Sequence, residues 1–160
     1  MFPQRLKEFA RMERAQGEVS QIALRCPCGG DGFGLQYDGI VQKRLLLGDV
    51  LAGSEANPLG VSVECPSCGR KAVLFDGMRH GYDAVHAEDR PAEKRRPMKT
   101  YACRRCKGAR FGVEMRFEYA GMEEIAENLP KDECFSWLWV DIECRKCGKR
   151  TRGFVDVETA

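Results

Sequence analysis

The 160-residue sequence predicts a small β-rich, metal-stabilised protein with an N-terminal helix and short helical insertions. Three observations predict it. Eight of the nine cysteines fall into four close pairs, the chain spells one pattern twice, and the segments between the pairs alternate apolar and polar residues. Clustered cysteines read as metal ligands in a reducing compartment and as disulfides in an oxidising one. No signal-peptide core or 18-residue apolar run is present, so the expectation is a cytoplasmic chain that makes no membrane contact.

The repeat fixes the order of the elements. "CGGDGFGLQY" (28–37) aligns with "CKGARFGVEM" (106–115), bringing Phe33 onto Phe111 and Gly34 onto Gly112. "VSVECPSCGRK" (61–71) aligns with "VDIECRKCGKR" (140–150). Between the inner cysteines lie 36 residues in the first copy and 37 in the second. An internal repeat of this kind predicts two similar units.

Residues 1–18, "MFPQRLKEFARMERAQGE", are amphipathic and predict the N-terminal helix, with Leu6, Phe9 and Ala10 on its packed side. The first repeat spans 19–85 and the second 98–160. The charged, proline-interrupted stretch 86–97 between them reads as linker. "FGVEMRFEY" (111–119) has the period of two that marks a half-buried strand. "RLLLGDVLAG" (44–53) in the first repeat and "GMEEIAENLP" (121–130) in the second are the expected helical insertions, the latter ended by Pro130. "RHGYD" (79–83) reads as a tight turn at Gly81 or as a recognition loop exposing His80 and Tyr82.

Two thiolates in C-x-x-C reach one ion because the turn between them points both sulfurs the same way. A following glycine lets the chain turn back, with backbone N–H groups directed at the sulfurs. "CPSCG" (65–69) and "CRKCG" (144–148) have this form. They resemble the knuckles of the zinc-ribbon superfamily, over roughly 20–75 and 98–157. The resemblance implies two tandem zinc-ribbon-like repeats and two structural zinc ions, each held by four thiolates. The expected ligands are Cys26, Cys28, Cys65 and Cys68 in one site, and Cys103, Cys106, Cys144 and Cys147 in the other. "CPCGG" (26–30) is one residue short for such a knuckle, which puts Cys26 in question. "CRRCK" (103–107) has Lys107 where glycine belongs. Spacing alone also allows pairing across the repeats, and iron as in rubredoxin, with electron transfer as its function.

Catalysis is not expected. Four thiolates close the zinc shell, whereas a catalytic zinc keeps a position for water. "HAE" (86–88) before "CRRC" (103–106) echoes a zinc deaminase, but Ala102 stands where that signature needs proline. The expected role is a non-catalytic adaptor that contacts a macromolecular partner, a protein in preference. Trp137 and Trp139 fall on the face of "FSWLWVDIE" opposite Leu138, Val140 and Ile142, and are candidate partner contacts. Nucleic acid is the alternative, through a basic knuckle face: residues 94–110 hold eight Lys/Arg and no acid, and 144–152 hold five more. Arg104, Arg105, Lys107, Arg145, Lys146, Lys149 and Arg150 are the candidates. Against it, eight thiolates and two dications carry the formal net charge from +2 to about −2.

Overall fold

A computed structural model describes residues 1–54, 56–86, 97–119, 121, 125 and 127–160. Eleven strands are among them: β1 (Ala10–Gln16), β2 (Val19–Leu24), β3 (Gly34–Asp38), β4 (Ile40–Arg44), β5 (Gly48–Ala52), β6 (Gly60–Glu64), β7 (Lys71–Asp76), β8 (Lys99–Thr100), β9 (Phe111–Glu118), β10 (Trp137–Cys144) and β11 (Arg150–Glu158). A five-residue helix, α1 (Tyr82–His86), follows β7. The strands form a five-stranded sheet in the order β1-β2-β9-β10-β11, a four-stranded sheet β7-β6-β3-β8, and the hairpin β4-β5.

Both larger sheets bury one face in a common core. Leu35, Val61, Val63 and Leu74 come from one, and Ile22, Met115, Phe117, Leu138, Val140 and Val155 from the other. Phe135 bridges them, its ring centroid 6.3 Å from Phe75 and 5.3 Å from Phe117. A 160-residue chain divided into two isolated units would bury little apolar area in each; one shared core removes that penalty.

The cysteine-bearing hairpins use matching registers. Glu64 lies opposite Gly34 and Lys71, and Glu143 lies opposite Gly112 and Arg150. Each half lends its leading strand to the other half's sheet: β2 runs toward Cys26 but pairs with β9, and β8 runs toward Cys103 but pairs with β3. Where the halves meet, the amides of Phe33 and Phe111 donate to each other's carbonyls at 2.8 and 2.9 Å.

Two expected helices are strands instead. The N-terminal helix over 1–18 is replaced by a 3-10 turn at Gln4–Leu6 followed by β1. Gly17, at φ +61, starts the two-residue turn into β2, and pairing in a five-stranded sheet outweighs the local helical preference of "KEFARMERAQ". Leu6 and Phe9 are nonetheless buried as their apolar character requires. The insertion 44–53 is the β4–β5 hairpin. Its second strand sends Leu51 into the core, and its loop exposes Leu45, Leu46 and Leu47 at 90, 99 and 62%. The insertion helix predicted at 121–130 falls largely on residues outside those described, as does most of the linker 86–97. "RHGYD" leads from β7 into α1, where Tyr82 packs against His86 with ring centroids 4.4 Å apart.

Candidate metal centres and the tryptophan face

The four cysteine pairs sit on turns that enter or join strands. In the three C-x-x-C turns the first cysteine's amide donates to the carbonyl five residues on, and its carbonyl accepts from the amide four residues on: Cys65 with Arg70 and Gly69, Cys103 with Gly108 and Lys107, and Cys144 with Lys149 and Gly148. "CPCGG" closes one residue earlier at both points, Cys26 with Gly30 and Gly29. The shorter turn is therefore a contracted version of the same closure, and Cys26 joins its cluster.

Sulfurs converge within each half. Cys26, Cys28, Cys65 and Cys68 form one group and Cys103, Cys106, Cys144 and Cys147 the other, with all four Sγ atoms within 4.8 Å of one another in each. Sγ–Sγ distances are 3.3 Å for Cys26–Cys68, 3.6 Å for Cys28–Cys65, 3.7 Å for Cys103–Cys147 and 3.5 Å for Cys106–Cys144. Disulfide sulfurs would be about 2.05 Å apart. A tetrahedron with metal–sulfur bonds near 2.3 Å has edges of about 3.8 Å, close to these distances. Two metal ions could be held here, and the pairing the fold makes is the one within each half.

Turn geometry and burial shift the clustered thiols in opposite directions. The amide of Cys68 bonds to the Cys65 sulfur and, against burial and with help from Ser67 N–H, brings that thiol down to about 6. Burial opposes ionisation of Cys144, yet the amides of Cys147 and Lys146 bring it down to about 7. Burial pushes Cys26 up to about 12. Lys107 holds φ +62, where the parallel turns have Gly69 at +74 and Gly148 at +73. Gly108 lies so close to the second cluster that a Cβ there would stand 3.1 Å from the Cys144 sulfur and 3.2 Å from that of Cys106.

Trp137 and Trp139 do point away from the core, in a strand whose burial alternates residue by residue. Their rings stack at 5.5 Å with an interplanar angle of 11°. The Trp137 indole N–H donates to Asp156 at 2.8 Å, and the Arg116 guanidinium carbon lies 5.3 Å from the Trp139 ring centroid. The face stays open to solvent, with Arg116, Glu114 and Arg150 exposed by 40, 40 and 45%.

The basic candidates are dispersed and partly neutralised. Arg150 and Arg145 lie on the tryptophan face, Arg150 paired with Glu114 at 2.9 Å and Arg145 with Glu143 at 2.9 Å. Arg145 lies across Gly112, where a Cβ would meet its guanidinium at 2.3 Å. Arg104 turns instead to Asp49 at 2.7 Å. Lys146 approaches the Cys106 carbonyl at 3.5 Å. Arg105, Lys107 and Lys149 have no ion pair among the described residues.

Two features escaped the sequence reading. Asp49, 3% exposed, accepts from Tyr101 Oη at 2.8 Å as well as from Arg104, tying the β4–β5 hairpin to the second cluster. Asp141 and Glu143 share the tryptophan face by alternation within β10, but the carboxylates on the neighbouring strands were missed too. Period-two alternation puts Glu114, Arg116 and Glu118 on one face of β9, but only strand order places them beside β10. No protein-family model, curated protein or solved structure matches the chain. The two clusters are compatible with zinc-ribbon-like metal sites, and among the described residues no helix is long and apolar enough to cross a membrane.

Proposed function

We propose that the chain is a non-catalytic adaptor, held in shape by two structural zinc ions, that binds a protein partner through the open face of its five-stranded sheet. The stacked Trp137–Trp139 pair carries this reading. Two large rings on a solvent-facing sheet surface do nothing for the core beneath, which Leu138, Val140 and Ile142 already fill, and tryptophan is enriched among residues that dominate protein interfaces.

The metal would crosslink two knuckles in each half, and the chain's part is to present four sulfurs with N–H groups directed at them. A fourth thiolate takes the position that a catalytic zinc keeps for water, which supports a structural role over an enzymatic one. Thiolate clusters of this kind persist where thiols stay reduced, which supports a cytoplasmic setting. Tandem zinc-ribbon repeats that exchange leading strands would account for the matching registers and for Phe33 meeting Phe111 at the junction.

Nucleic acid is the second reading, favoured by Arg105, Lys107 and Lys149, which have no ion pair among the described residues. Ion pairing of Arg104, Arg145 and Arg150 weighs against it. The test is affinity capture with zinc-loaded protein after nuclease treatment, each captured protein then being purified and rebound. A partner that binds the native chain and loses at least about tenfold in affinity to Trp137→Ala or Trp139→Ala supports the proposal. Nuclease-sensitive capture that falls steeply with salt, indifferent to the tryptophans and lost with Arg105, Lys107 and Lys149, would replace it with the nucleic-acid reading.

A further inference from the structure

On the open sheet face one arrangement occurs in two versions, complete in one and, among the described residues, lacking its cation in the other. Trp139 lies opposite Arg116 on β9. The guanidinium sits over the indole ring at 5.3 Å and reaches the carboxylate of Asp141 at 3.7 Å. Ring, cation and carboxylate are all present. Two residues back along β10, Trp137 lies opposite Glu118 on one side and Glu158 on the other. Carboxylates thus occupy both cross-strand positions that flank this ring. Neither forms an ion pair among the described residues, and Glu158 is exposed. A third carboxylate, Asp156, accepts the Trp137 indole N–H at 2.8 Å.

An indole face attracts a cation through its quadrupole, and carboxylates on either side add Coulomb attraction at a surface only partly screened by salt. The same surroundings repel phosphate. We infer that the Trp137 position receives a lysine or arginine side chain from a basic peptide segment of the partner, held over the ring between Glu118 and Glu158 as Arg116 is held over Trp139 beside Asp141. This rests on the reading that the tryptophan face binds protein. It goes further by assigning the partner's chemistry, and by dividing the labour between two adjacent rings: Trp139 is supplied from within the chain and Trp137 from outside. It also assigns the contact to the acids beside the Trp137 ring, while Arg145 and Arg150, farther along the same face, are already held by Glu143 and Glu114.

The chain contains two tryptophans, so indole emission, excited beyond the tyrosine band, reports on this face alone. The experiment is a titration of zinc-loaded protein at low salt with a dodecapeptide alternating Arg and Ala, its Glu–Ala counterpart, and a twelve-nucleotide oligothymidylate. The Arg–Ala peptide is expected to change the indole emission saturably. Glu118→Gln with Glu158→Gln should weaken it about tenfold, whereas Glu64→Gln, a carboxylate on the other sheet, should leave it unchanged. Both variants change surface groups, and circular dichroism confirms that each remains folded. Equal binding by native protein and the double variant, or a response to the Glu–Ala peptide or the oligonucleotide instead, overturns the inference. With an identified partner, capture that needs the tryptophans but ignores Glu118 and Glu158 would overturn this inference alone. Capture that ignores the tryptophans would overturn the reading beneath it.

Discussion

At the scale of single residues, turn chemistry is broken at two places among the described residues. Lys107 and Leu46 are the non-glycine residues there with positive φ, at +62 and +64, a region that costs an L-residue roughly 1 kcal/mol. Lys107 fills a glycine position in an otherwise regular knuckle. Lys107→Gly should therefore stabilise the metal-loaded protein by about 1 kcal/mol in urea denaturation; a loss of stability would show that the lysine makes a compensating contact. His80 illustrates a different constraint. Burial, then the charges of Arg5 and Arg79, lower it to about 3, and its Nδ1 accepts from the Asp76 amide at 3.0 Å, a bond that needs that nitrogen unprotonated. The unfolded chain takes up a proton below about pH 6.5 that the folded chain refuses until about pH 3. His80 therefore costs stability as pH falls through that window, about 1 kcal/mol between pH 7.5 and 5.5. Burial raises Glu133 to about 7 against the pull of Arg5, which acts in the opposite direction but is common to the native chain and a His80 variant. The measurable quantity is the difference: His80→Gln should lose about 1 kcal/mol less than the native chain over that pH step. Equal losses would mean that His80 titrates normally.

Among the elements, the β4–β5 hairpin is tied down by a buried carboxylate. Asp49 is buried and serves both Tyr101 and Arg104. Asp49→Ala leaves the Tyr101 hydroxyl without its acceptor, at a cost of about 2 kcal/mol. In a Tyr101→Phe background the same substitution should cost markedly less, and a denaturation double-mutant cycle measures the difference; additive losses would disprove the coupling. This anchor also marks the limit of what the sequence makes legible. Spacing identifies the four close cysteine pairs, because turn closure is local, while the within-half partners follow from repeat alignment and not from spacing. The same logic recognises the β9 and β10 alternation and sends the tryptophans outward. It fails at 1–18 and 44–53, where a helical apolar pattern is overridden by pairing partners far along the chain: β1 joins a sheet completed by β9, β10 and β11, and β5 buries Leu51. Strand order is likewise non-local, so the carboxylates beside Trp137 could not be placed from alternation alone.

For the whole molecule, the two four-cysteine clusters and the shared core are coupled. Cys26, Cys65, Cys103 and Cys144, the first member of each pair, are buried within the core cluster itself, while Cys28 and Cys68 face outward. In each cluster two inward thiols and their two partners would be held together most effectively by one ion, and the strand exchange means that disturbing either cluster disturbs both large sheets. The account therefore predicts that metal and fold are lost together. Native mass spectrometry of protein purified without chelator tests this most directly, followed stepwise through chelator addition with circular dichroism in parallel. Two zinc ions per chain, released together with the β-sheet signal, are the predicted result. One ion or none bound to a fully folded chain, a mass lowered by disulfides, or iron in place of zinc would contradict it.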